Sequence, residues 1–219
     1  SSRSGRRTHL HAKGACSRFD CRQIEAFPHR LTIAHLGYLM LLDALEQPDG
    51  SRLRAVTALE LLQAKADKVA IDIVSLDHSP ERFRELINPC LPLVDYLIIN
   101  EFEAGQVVGA EIRRAADDTI DGAACIAAAR ELRARGVRDT VIIHFPEGAL
   151  GVDAAGLVFC PSFDVPRSEI NCVVGAGDAF TSAVLYGFYQ GRSLRDSLLL
   201  GNANARHNIT SGSCTDGVV

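Results

Sequence analysis

From residue 31 onward, short apolar runs alternate with longer stretches whose apolar residues recur every three or four positions. The short runs predict strands at Leu31 to Leu36, Lys68 to Val74, Asp95 to Ile99 and Thr140 to His144. Between them, the periodic stretches predict helices. Arg52 to Ala66 places Leu53, Val56, Leu59, Leu61 and Leu62 mostly on one face, and Pro80 opens a helix that runs to Ile87. Glu101 to Val108 is closed by Gly109, and Asp121 to Arg135 by Gly136, because glycine readily adopts the left-handed conformation that ends a helix.

Strands joined by helices of this length require right-handed crossovers and a mostly parallel sheet. Their runs are continuous rather than alternating, as a sheet covered by helices on both faces demands. The rhythm then changes: Ala149 to Val152, a turn at Asp153 to Gly156, and Leu157 to Cys160 predict an antiparallel hairpin at the sheet edge. Two helices, Gly175 to Tyr189 and Leu194 to Ile209, complete an α/β chain of three layers.

Residues 1 to 30 do not share this pattern. They carry seven Lys or Arg against two acids, whereas residues 31 to 219 carry 16 basic and 25 acidic side chains, giving the net charge of −4. The basic stretch lacks interleaved aromatics and a helical period, so it is expected to be a weakly structured leader ahead of one domain over 31–219, and no nucleic-acid or membrane partner is expected. No run approaches the roughly 18 apolar residues of a membrane span. No apolar block follows the basic residues as in a secretory signal, and the seven cysteines lack the close pairs of zinc sites. A cytoplasmic location with reduced thiols is therefore expected.

The candidate chemistry lies where strands end and helices begin, since ligands of open α/β sheets sit at the carboxyl ends of the strands. After Val173 and Val174 comes Gly175-Ala176-Gly177-Asp178, followed by Ala179, Phe180, Ala183, Val184, Gly187 and Phe188 at helical spacing. Two glycines around an alanine let the backbone approach a ligand, and the N–H groups of a helix start bind anions. A carboxylate there would repel a phosphate, so Asp178 is best explained as a base taking a proton from an attacking hydroxyl.

Asn100 and Glu103 follow the third strand and share a helix face. Two uses stay open for them: holding a hydrated magnesium ion, or closing a capping box at the helix start. His144 and Gly148 follow the fourth strand. His144 either touches a phosphate or is satisfied within the fold, and Gly148 gives a turn near a nucleotide. Asp72, inside an apolar stretch, either faces the crevice or pairs with a basic neighbour. A dinucleotide-binding reading is disfavoured, because the glycine turn lies near the C-terminus and no acid follows a first βα unit at the usual distance.

Taken together, Asn100-Glu101-Phe102-Glu103, the loop from His144 to Gly148, and Gly175-Ala176-Gly177-Asp178 resemble, in order and spacing, the ribokinase-like (phosphofructokinase-B type) carbohydrate kinases. The similarity begins near His35-Leu36-Gly37-Tyr38 and extends to the C-terminus. It implies transfer of the ATP γ-phosphate to a sugar or a nucleoside-like alcohol, with ATP and Mg²⁺ required. Asp178 would be the base, and the N–H groups of Gly175, Ala176 and Gly177 the anion hole. Asn100 and Glu103 would organise magnesium and phosphate, His144 and Gly148 would border the nucleotide, and Asn202 with Ser211 to Cys214 would lie near the adenine.

Two departures accompany the resemblance. Asn171-Cys172-Val173-Val174 stands where the family usually has Asp-Thr, and His144 with Pro146 replaces a loop that typically begins with Thr and has an early Gly. The family's N-terminal section, which carries the lid and most sugar contacts, is expected to be missing. Weak or no sugar kinase activity is the consequence, with a nucleotide- or partner-binding remnant as the alternative. The lid often makes the dimer contact in this family, so a homodimer stays possible.

Overall fold

The computed structural model of the chain describes residues 12–74 and 80–213. In chain order, helix α1 (Cys21–Ala26) precedes strand β1 (Leu31–Leu36), and a short ribbon of β2 (Pro48–Asp49) and β3 (Arg52–Leu53) leads into α2 (Arg54–Lys65). Then follow β4 (Ala66–Ile71), α3 (Pro80–Ile87), β5 (Tyr96–Asn100), α4 (Glu101–Val108), the ribbon of β6 (Arg113–Arg114) and β7 (Thr119–Ile120), and α5 (Gly122–Ala134). The chain continues through β8 (Thr140–Phe145), β9 (Gly148–Val152), β10 (Leu157–Pro161), α6 (Ala176–Tyr189) and α7 (Leu194–Thr210).

Six strands form one sheet in the order β1-β4-β5-β8-β9-β10. The first four are parallel, and β9 and β10 add antiparallel, as expected from the hairpin signal. Each face buries its own core. Leu97, Ile99, Val141 and Ile143 point to the side covered by α1 to α5, while Ile98 and Ile142 point to Phe180 and Val184 of α6 and Leu198 of α7. Every second residue of the central strands therefore meets helices on alternate sides, which is why their sequences read as unbroken apolar runs.

Two expectations need correction. Weak structure over residues 1–30 does not hold for 14–26: α1 is capped by Asp20 and Gln23 in a reciprocal box, and Ile24 is buried in the larger core. Residues 1–11 lie outside the described residues. The second strand runs from Ala66 to Ile71 rather than from Lys68 to Val74, its pairing with both neighbours ending at Ile71, opposite Leu36 of β1 and Leu97 of β5. Asp72 thus sits just past a strand end and not within the strand.

Candidate active site

The parallel strands deliver their C-terminal ends to one edge of the sheet, and the N-termini of α4 and α6 meet them there. A cleft of ≈ 740 Å³ opens at this edge. Asn100, His144, Gly148, Gly175, Ala176, Gly177 and Asn202 all line it, so residues spread over about a hundred positions of sequence converge. Apolar side chains, among them Phe102, Phe163, Ile170 and Ile209, form much of its wall. Asp178 and Glu103 lie outside that lining: Asp178 is exposed, and Glu103 is buried behind Asn100.

Gly175 is the N-cap of α6, with φ of 82° and no side-chain cap. That left-handed backbone suits glycine, and it turns the first N–H groups of the helix outward, where helix geometry supplies no internal partner. Asp178 is the third residue of the helix. Its Oδ1 accepts a hydrogen bond from the Tyr38 hydroxyl, a contact across 140 positions of sequence. Tyr38 follows the end of β1, and burial followed by the nearby charge of Asp178 pushes its phenol well above the ordinary range.

At the end of β5, the Asn100 side chain accepts from the Glu103 N–H at 2.9 Å, and Glu103 Oε2 accepts from the Asn100 N–H at 3.0 Å. The capping box is thus formed. It occupies Glu103 Oε2, and the hard oxygen donors of this pair suit a magnesium ion held through water rather than by a full protein cage. His144 packs against Phe180, with ring centroids 5.0 Å apart. Enclosure by protein lowers its pKa to about 4, so it is neutral at physiological pH and can offer a hydrogen bond but no positive charge.

Gly148 has a structural reason: a Cβ there would come within 2.6 Å of the Cys160 carbonyl and 2.7 Å of the Phe159 ring. Asn202 faces the cleft, yet its amide donates to the carbonyls of Cys160 and Pro161 at 3.1 and 3.0 Å, bracing α7 against the end of β10. Ser211 follows α7, and Cys214 lies outside the described residues.

Two groups were not assigned from sequence. Tyr38 is one, although a polar aromatic directly after a parallel strand was a signal that could have found it. Arg113 is the other. Its guanidinium donates to Glu101 at 2.8 Å and to both oxygens of Glu147 at 3.0 and 2.7 Å, tying the start of α4 to the β8–β9 turn across the cleft rim. The Glu147 carboxyl is held below its usual value chiefly by that arginine. A bridge among residues 101, 113 and 147 has no local sequence signature.

Residues 40–219 match the description "pfkB family carbohydrate kinase". The chain belongs to this family of carbohydrate kinases. It is 32% identical over 123 residues to the cytidine kinase of Thermococcus kodakarensis, a match covering 56% of this chain and 40% of that protein. Against the adenosine kinase of Schizophyllum commune, identity is 30% over 158 residues, covering 70% of this chain and 46% of that protein. The chain therefore spans less than half the length of these curated relatives.

Aminoimidazole riboside kinase from Salmonella enterica has the same fold, with a TM-score of 0.68 at 20% identity, covering 97% of this chain and 67% of that one. Phosphofructokinase-2 from Escherichia coli superposes with a TM-score of 0.62 at 20% identity, covering 90% and 57% of the two chains. Among the described residues, no helix is long and apolar enough to cross a membrane.

Proposed function

We propose that this chain carries the catalytic half-site of an ATP-dependent kinase that phosphorylates a hydroxyl of a sugar or nucleoside. The observation that carries the reading is Asp178, a carboxylate on the first turn of a glycine-capped helix whose N-terminus borders the cleft. ATP supplies the γ-phosphoryl group and Mg²⁺ neutralises charge on it. Asn100 with Glu103 would hold the hydrated ion, and the apolar wall of Phe163, Ile170 and Ile209 suits the flat face of a base.

The helix start at Gly175, Ala176 and Gly177 binds the phosphate oxygens and steadies charge that builds up during transfer. Asp178 accepts the proton of the acceptor hydroxyl as the alcohol oxygen bonds to phosphorus and the bond to the ADP oxygen breaks. Neutral His144 packs beside Gly177, where a Cβ would stand 3.4 Å from its ring, and offers a donor without drawing the phosphate away from the helix.

Support for the acceptor class comes from the relatives named cytidine kinase, adenosine kinase and 5-dehydro-2-deoxygluconokinase. The test measures turnover with cytidine, adenosine and a panel of sugars, beside nucleotide titration. Asp178→Asn is expected to lower kcat by about 100- to 10,000-fold while ATP·Mg²⁺ binding is kept. Equal turnover of variant and wild type would overturn the assignment of the base.

A further inference from the structure

The Asp178 carboxylate stands exposed at a helix start, where a side chain of its kind would sample several rotamers. Among the described residues its one hydrogen-bond partner is the Tyr38 hydroxyl, which donates to Oδ1. The phenol is itself held on a short, rigid leash. Gly37, the residue after β1, passes Asp72, whose Oδ1 would be 2.2 Å from a Cβ at that position, so a glycine there lets the chain run close by Asp72. Leu39 and Met40, the two residues after Tyr38, are fully buried. Tyr38 thus reaches the base from a strand end anchored on both sides.

We propose that Tyr38 is a positioning residue for the base: its O–H ties down Asp178 Oδ1 and leaves Oδ2 as the atom that meets the acceptor hydroxyl. The role rests on the phosphotransfer reading above. The phenol suits it because burial and the neighbouring carboxylates of Asp178, Asp72 and Glu103 all favour its protonated form, so it is always a donor. A base fixed in one orientation avoids the ordering cost that a mobile carboxylate would bring to each turnover. The assignment differs from a packing role, since a ring that only filled space would be replaced by phenylalanine without loss.

Tyr38→Phe keeps the ring and removes the donor. It is expected to lower kcat roughly tenfold or more, as for loss of a hydrogen bond to a charged group, with KM for acceptor and nucleotide unchanged. In Asp178→Ala the same change is expected to cost nothing further. Independently of turnover, carbon-13 NMR of tyrosine-labelled protein reads the contact itself. The chain has four tyrosines, and Tyr38→Phe assigns the resonance in question.

Asp178→Ala is expected to shift the Tyr38 Cζ resonance and leave those of Tyr96, Tyr186 and Tyr189 in place. An unmoved Tyr38 resonance would overturn the contact. A Tyr38→Phe enzyme as fast as an active wild type would overturn the positioning role and leave the kinase reading intact. A folded wild type that shifts its resonance as expected but phosphorylates no acceptor would overturn phosphotransfer by this chain, and the positioning role with it, while the family membership stands on its own.

Discussion

Asp95 and Asp72 are both buried acids at opposite ends of the same sheet, and they are treated in opposite ways. Asp95 precedes β5. Its Oδ2 accepts from the Val69 N–H at 2.7 Å and from Arg138 at 2.7 Å, with Lys68 3.7 Å from Oδ1. Asp72 follows β4. It has His35 Nε2 3.3 Å from Oδ1, but that oxygen receives no well-aligned hydrogen bond, and burial raises the pKa of the group against the opposing effect of His35. The N-terminal end of the sheet is satisfied for stability, whereas the end that borders the cleft retains polar groups at a cost. Sites commonly carry such costs, because groups aimed at a ligand cannot also be spent on the fold.

The sharpest test of this contrast is His144, at the cleft end. Its pKa is about 4 when folded against 6.5 when unfolded, so the unfolded chain takes up the proton first as pH falls. Stability is therefore full above pH 6.5 and is lost on acidification toward pH 4. That loss amounts to about 3 kcal/mol, and His144→Phe should remove it, as read by urea unfolding across that pH range.

Next in size is Asp95→Ala, expected to lower stability by about 2 kcal/mol, because the buried Val69 N–H loses its acceptor while Lys68 and Arg138 can turn to water. Thermal unfolding at neutral pH checks it, and an unchanged midpoint would break the contrast between the two ends. Asp72→Asn should have the smallest effect and the opposite sign, a gain below about 1 kcal/mol at pH 7. An acid with a raised folded pKa carries its penalty above that value and loses it on the way down to the ordinary 3.8, so the advantage of the amide should shrink in acid.

Local order was readable to a large degree. The helix Glu101–Val108 with its Gly109 stop, and the start at Pro80, match the structure to the residue, because caps and stops act over three or four positions. The capping box of Asn100 and Glu103, left open beside a magnesium role, was also legible in spacing alone. Boundaries failed where partners decided them: an apolar run to Val74 reads as strand, but pairing with both neighbours stops at Ile71, opposite Leu36 of β1 and Leu97 of β5. Asn202 lines the cleft, and its amide also donates to Cys160 and Pro161, a use set by how α7 lies on β10 that no local spacing records.

By itself, then, the chain determined its periodicity and the glycine-capped start of α6 with Asp178 on its first turn. Those features depend on residues within one helical turn of each other. Only the tertiary structure decided that Tyr38 meets Asp178, that Arg113 joins Glu101 to Glu147, and that His144 is held neutral beside Phe180. Strand order brings these groups together. Such contacts arise from which strand ends lie side by side, and no spacing along the chain records that arrangement.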